Sequence, residues 1–197
     1  MLQPGGNITG MAVFNATLAG KRIELMKELI PTAAVIGYLL HPADQGSAAE
    51  SKGALAAARA LGIELKVLNA SSEDELETAF AAVAKLRADA LVVAGEPFFD
   101  SRREKIVALS ARGGVAAVYA WREYVLAGGL ISYGTDLPES YREAAIYAGR
   151  ILKGEKPARL AVKQPTKFRL AVNLKTAKAL GLDMPPTLLA RANEVIE

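Results

Sequence analysis

Apolar residues recur along this chain in two alternating rhythms. Short aliphatic runs come at Val35–Leu40 (VIGYLL), Glu64–Leu68, Ala90–Ala94 (ALVVA), Val115–Ala120 (VAAVYA) and Gly129–Tyr133 (GLISY). Runs of this length, bounded by glycine and proline, predict strands of a parallel sheet, most of them buried on both faces. Between them the apolar positions fall at helical spacing. From about Leu18 to Ile30, Leu18, Leu25 and Leu29 share one face with Met26 and Ile30 beside it, while Lys21, Lys27 and Glu28 point outward.

Local signals punctuate this pattern. Pro31 ends the first helix, and His41-Pro42 stops the first strand because proline cannot donate to a strand ladder. Ser47-Ala48-Ala49-Glu50, Ser72-Glu73-Asp74-Glu75 and Ser101-Arg102-Arg103-Glu104 each read as a capping box. Leu61-Gly62 and Arg112-Gly113-Gly114 supply glycine where a helix needs a left-handed C-terminal residue. Strand and helix alternating at regular spacing predict an α/β fold, a doubly wound parallel sheet with about five strands in residues 34–133 and right-handed crossovers.

After Tyr133 the rhythm changes. Asp136 is placed to cap a helix running through Leu152, followed by a loop, Glu155–Lys167, holding Pro157 and Pro165. Phe168–Val172 reads as one more strand, Asn173 as the cap of a short helix ending at Gly181, and Thr187 as the cap of a last helix with Leu188, Ala192 and Val195 on one face. Ile8–Phe14 reads as a short extended piece. The expected organisation is an α/β lobe over residues 1–135, then a crossover helix and C-terminal segments over 136–197 that belong to a hinge or another lobe.

Composition narrows the function classes. The 197 residues are 51% hydrophobic, with a net charge of +3 from 24 basic and 21 acidic residues. No Lys/Arg block interleaved with aromatics appears, so nothing in the charge pattern calls for nucleic acid. The absence of cysteine removes disulfides and thiolate chemistry, and the single His41 cannot build a histidine metal site. The first residues, Met1-Leu2-Gln3-Pro4-Gly5-Gly6, lack the basic start and apolar core of a signal peptide. There is no Walker A sequence, no dinucleotide fingerprint after a strand and no nucleophile elbow. No catalytic residue and no cofactor is therefore predicted.

Candidate chemistry gathers at the ends of the predicted strands. His41, Asp44 and Ser47 follow the first; Glu96, Phe98, Phe99 and Asp100 the third; Trp121 and Glu123, with Arg122 between them, the fourth; Tyr133 and Asp136 the fifth. Helix N–H groups behind Ser47 suit a carboxylate, Asp100 or Asp136 an ammonium, and Phe98, Phe99, Trp121 and Tyr133 an apolar wall. Together they predict a pocket for a small carboxylate-bearing molecule such as an amino acid. A Mg²⁺ held by Glu96, Asp100, Glu123 and Asp136 is the competing, enzymatic reading.

Several segments resemble a known family together: Pro4-Gly5-Gly6-Asn7-Ile8-Thr9-Gly10, Lys21-Arg22-Ile23-Glu24-Leu25, Gln164-Pro165-Thr166-Lys167-Phe168, and Asn173 to Gly181 followed by Pro185-Pro186 and Leu188 to Ala192. In order and spacing they are similar to ABC-transporter substrate-binding proteins of the tryptophan/tyrosine type, over essentially the whole chain. The resemblance implies the type I periplasmic-binding fold, non-enzymatic capture of a small molecule, delivery to a membrane permease, and a periplasmic location. It implies that the strand-end loops just named form the second lobe's face of a ligand cleft. His41 stands where family members often carry Asn. Family members also carry a signal peptide and first-lobe strands before the PGGN segment, so the chain is expected to be a second lobe with its crossover segments. A ligand-sensing regulatory module is the alternative on the same fold. Apolar residues on the helix Tyr141–Leu152 and on the last helix predict a homodimer that covers them.

Overall fold

A computed structural model describes residues 5–12 and 15–197, with only the backbone of Asn15 and Ala16. The expected strands Glu64–Leu68 and Ala90–Ala94 form as β2 (Glu64–Asn69) and β3 (Ala90–Val93), and the first as β1 (Val35–Leu40). The fourth is shortened at both ends to β4 (Ala117–Tyr119), and the fifth is shifted toward its carboxyl end to β5 (Ile131–Thr135). All adjacent pairs among these five are parallel, in the spatial order β2-β1-β3-β4-β5. Every residue of β3 and β4 is buried, whereas β2 is an edge strand with Val67 exposed. Two further strands, β6 (Phe168–Asn173) and β7 (Glu194–Ile196), extend the sheet beyond β5 to seven strands, pairing parallel with each other.

The described residues also form nine α-helices. They are α1 (Asn15–Leu29), α2 (Ser47–Ala60), α3 (Glu73–Lys85), α4 (Pro97–Asp100), α5 (Arg103–Arg112), α6 (Arg122–Leu126), α7 (Leu137–Leu152), α8 (Leu174–Ala179) and α9 (Pro186–Arg191). The expected core face of α1 is buried at Leu18, Leu25, Met26 and Leu29. α1 lies close on α2, where a methyl group at Gly20 would meet the Ala57 Cβ at 3.1 Å. In α3, Leu76, Phe80 and Val83 are buried, while Leu86, just past its C-terminal end, is 38% exposed.

The chain forms two compact units. The larger comprises Asn15–Gly134 and Arg169–Glu197 and contains the sheet; the smaller comprises Met1–Phe14 and Thr135–Phe168. Residues beyond 168 therefore return to the sheet, and do not stay with α7. In the smaller unit Met11 bridges Lys163 in parallel, the Lys163 N–H donates to the Gly10 carbonyl, and Thr9 Oγ1 donates to the Leu160 carbonyl. Val13 and Phe14, from the expected extended piece, lie outside the described residues.

Three capping expectations are corrected. α2 begins at Ser47 itself with Gly46 as N-cap, and the Ser47 hydroxyl turns to the Pro42 carbonyl at 3.5 Å. Glu50 does not reach back to the helix start, because a buried arginine claims it. At the third box, Ser101 closes the short α4 with its hydroxyl on the Phe98 carbonyl, and Arg102 is the N-cap of α5. Pro97 starts a separate turn that sequence periodicity did not resolve. Thr187 lies inside α9, donating to Glu28, and Val195 belongs to β7, not to a helix. The remaining caps form: Ser72 accepts from the Glu75 N–H at 3.2 Å, Asp136 from Glu139 at 3.3 Å, and Asn173 from Thr176 at 3.1 Å.

Candidate ligand-binding site

From β1 the chain steps outward to β2, then crosses back to place β3 on the other side of β1. β1 and β3 thus form the topological switch point, and open α/β sheets bind ligands in the crevice beyond the carboxyl ends of such strands. Register aligns those ends: Leu39 pairs with Val93, so His41 and Glu96 emerge side by side.

Glu96 is 2% exposed, and its Oε2 accepts the His41 backbone N–H at 2.8 Å. Its Oε1 is buried without a hydrogen-bond partner. Burial pushes this carboxyl up to about 8, with Asp44, Glu50 and Asp100 adding to the shift and the His41 N–H opposing it. Asp44 turns its Oδ1 to the Gly46 N–H at 2.8 Å and shapes the loop. The His41 ring packs on Phe98 with centroids 5.2 Å apart, and the Arg102 guanidinium lies 4.2 Å from the Phe98 centroid. Phe98 is half-buried and is presented at the rim; Phe99 is fully buried, 5.4 Å from Phe98, and supports it from the core. The expected wall residue Phe99 is thus a core residue.

Asp100 joins the loops after β3 and β4. Its Oδ2 accepts from Trp121 Nε1 at 2.9 Å and its Oδ1 from the Tyr124 hydroxyl at 3.2 Å. Burial raises the Asp100 carboxyl to about 6 against the pull of both donors. Trp121 is 6% exposed, so most of its indole is packed. Tyr124 stacks on Tyr119 at 4.6 Å, and the Tyr119 hydroxyl donates to Ser110. Arg122 holds Glu194 through two bonds of 2.8 and 2.7 Å, tying α6 to β7; Glu123 is half-buried beside it. Tyr133 is half-buried near the end of β5. Asp136 belongs to the smaller unit, where it caps α7 and donates its own N–H to the Lys167 carbonyl.

A buried polar group beneath this rim was missed in the sequence. Arg22, read there as part of a helix, is 0% exposed. Its Nε donates to the Tyr133 carbonyl at 2.9 Å and its Nη1 to Glu50 at 3.2 Å. Burial pulls the guanidinium down from its ordinary value while Glu50 resists. Tyr38 of β1, also 0% exposed, has its hydroxyl beside Glu50 without a well-formed hydrogen bond, and burial raises its pKa. Arg22 at i−1 from the apolar Ile23 gave no warning, because a helix of this composition tolerates arginine on its flank.

A groove of ≈ 640 Å³ lies in the smaller unit, lined by residues including Met11, Asp136, Glu139 and Lys167. Its charges are paired internally, Lys167 with Glu139 at 2.9 Å and Lys163 with Glu143. Among the described residues no group of three or more His, Asp or Glu side chains is arranged to hold a metal ion, so the four candidate Mg²⁺ ligands are not gathered.

The switch-point loops of this parallel α/β sheet thus present an aromatic pair and buried carboxyls. The model of the ABC transporter substrate binding protein family matches residues 1–196, and the chain belongs to that family. No curated protein matches it. A conserved domain protein from Vibrio cholerae is 26% identical with a TM-score of 0.88, over 98% of this chain and 64% of that one. An ABC domain in complex with L-Trp from Streptococcus pneumonia is also 26% identical with a TM-score of 0.88, over 98% and 66%. A substrate binding protein with adhesive properties from Clostridium difficile, in a ligand-free open structure, shares the fold at 21% identity and a TM-score of 0.70, over 98% and 64%. The chain thus spans about two-thirds or less of the length of these relatives.

Proposed function

We propose that this chain is the ligand-facing α/β lobe of a solute-binding component of an ABC importer. It captures an amino acid or similar small carboxylate-bearing molecule without chemistry, outside the cytoplasmic membrane, for delivery to a permease. The observation that carries this reading is the juxtaposition of the half-buried His41–Phe98 pair with Glu96 and Asp100 at the β1/β3 switch point. The rings receive an apolar or aromatic side chain, and the polar groups orient its zwitterion. Support comes from the family and from the pneumococcal relative, which holds L-Trp. Calorimetry with the twenty amino acids tests it. Binding of an aromatic or large apolar member is expected, weakened at least about tenfold by Phe98→Ala, the scale of about 1.4 kcal/mol. Absence of heat with every amino acid overturns it.

The same reading includes a second copy of the chain. Tyr141, Ala145, Ala148 and Leu152 are exposed along one face of α7, with Tyr141 at 71% and Leu152 at 88%. Light scattering on a sizing column is expected to give twice the chain mass; a monomer mass at rising concentration overturns that part.

A further inference from the structure

We propose that Glu96 holds the positively charged group of the ligand, taking it up in exchange for the carboxyl proton. This rests on the solute-binding reading above and deepens it by assigning the cationic end of the ligand.

Three carboxyls lie near enough to Glu96, which follows β3, to disfavour its charge: Asp44 in the loop after β1, Glu50 on α2 and Asp100 on α4. The cation beneath them, Arg22 of α1, gives its Nε to the Tyr133 carbonyl and its Nη1 to Glu50, while its Nη2 is buried without a hydrogen-bond partner. Asp100 has each oxygen engaged by a neutral donor, Trp121 or Tyr124. Asp44 is turned to the Gly46 N–H. Glu96 alone in this group is nine-tenths buried with an oxygen that has no partner, and the Tyr38 hydroxyl of β1, likewise buried and without a well-formed bond, lies in the same electrostatic neighbourhood. A buried polar atom left unpaired costs free energy and calls for a partner, whether a ligand, an ion or a water.

A cation is the group that fits. An uncharged Glu96 needs an acceptor for its proton, and the neighbouring Asp44, Glu50 and Asp100 disfavour a bare carboxylate. An ammonium supplies N–H donors to Oε1 and a positive charge beside the Glu96 carboxylate. On binding, the O–H bond of Glu96 breaks, its proton passes to the buffer, and the carboxylate keeps the His41 N–H while gaining the ammonium. The half-buried His41, whose backbone N–H Glu96 holds, packs its ring on the half-buried Phe98 at the same strand ends.

The probes are tryptamine, which carries the ammonium without the carboxylate, indole-3-propionate, which carries the carboxylate without the ammonium, and methylammonium as the bare cation. The Glu96 carboxyl is followed by ¹³C NMR against pH. With tryptamine or methylammonium at high millimolar concentration its midpoint is expected to move down from about 8. Tryptamine affinity is expected to rise about tenfold from pH 7 to pH 9, as the ionised fraction of Glu96 grows. Calorimetry in buffers of different ionisation heat is expected to show proton release, and Glu96→Gln, which keeps an acceptor for His41, is expected to abolish both effects. A Glu96 titration that neither amine moves overturns the proposal, as does proton release that survives in Glu96→Gln. Failure of every amino acid to bind, with the Glu96 midpoint still shifted by methylammonium, would strike the solute-binding reading and leave the cation site standing. Indole-3-propionate binding as tightly as tryptamine overturns the assignment of the cationic end.

Discussion

The backbone N–H of His41 donates to Glu96 Oε2 at 2.8 Å, across the gap between the ends of β1 and β3. This bond joins two loops whose residues stand 55 positions apart. It holds the loop after β1 against the loop after β3 with a side chain whose carboxyl burial pushes up to about 8. Farther along the same loop, α2 starts without a side-chain cap, with Gly46 as its N-cap.

The pH dependence of stability follows with a definite sign. Glu96 has a folded pKa near 8, above the ordinary 4.5, so the folded state binds its proton more tightly than the unfolded chain. The contribution is fully present below about 4.5 and is lost as pH rises through about 8. Asp100 adds a loss in the same direction between 3.8 and about 6. Urea unfolding is expected to show a protein less stable at pH 9 than at pH 6, by on the order of a few kcal/mol. Glu96→Gln is expected to flatten this slope; a wild-type stability that climbs from pH 6 to 9 contradicts it.

Trp121 is the sole tryptophan, and its indole N–H donates to Asp100 at 2.9 Å. Its fluorescence is expected to titrate with a midpoint near 6, following the Asp100 carboxyl. Asp100→Asn is expected to remove that transition while leaving the fold intact. An unchanged midpoint in the variant would assign the titration to another group.

Breaking the Arg22–Glu50 pair should be costly and removing it whole should not. Arg22→Met leaves Glu50, 3% exposed, buried without its cation, and the Tyr133 carbonyl without its donor. A loss of about 3–5 kcal/mol is expected in chemical denaturation. The double variant Arg22→Met with Glu50→Leu is expected to recover a large part of it, since two well-packed apolar chains leave no stranded charge. Additive losses in the double variant would show that the pair is not the unit.

Gly134 of β5 lies so close to the end of β4 that a Cβ there would sit 1.8 Å from the Ala120 carbonyl oxygen. Backbone offers no flexible atom to move aside. Gly134→Ala is therefore expected to destabilise the chain by about 1–3 kcal/mol or to displace β5, measurable as a lower denaturation midpoint. Gly149 is the control, because a methyl group added there would have nothing within 4 Å. Gly149→Ala on α7 should be neutral or stabilising by up to about 1 kcal/mol.

The amino-acid sequence by itself determined the elements and their class. Val35–Leu40, Asp136 with its helix to Leu152, and Asn173 with its short helix were legible because strand burial, caps and left-handed glycines are local: each depends on residues within one or two turns. It also placed His41, Glu96, Phe98 and Asp100 at strand ends. Tertiary structure alone decided the strand order that brings His41 beside Glu96, because pairing partners are chosen by packing over long separations that no local pattern encodes. It decided that β7 replaces the end of a helix, since Val195 finds a ladder beside Val172 that outweighs its helical spacing. It turned Glu50 from a cap into the partner of Arg22, a contact between residues 28 apart whose value comes from burial. And it sent Phe99 into the core while leaving Phe98 at the rim, because the turn at Pro97–Asp100 aims adjacent side chains in different directions.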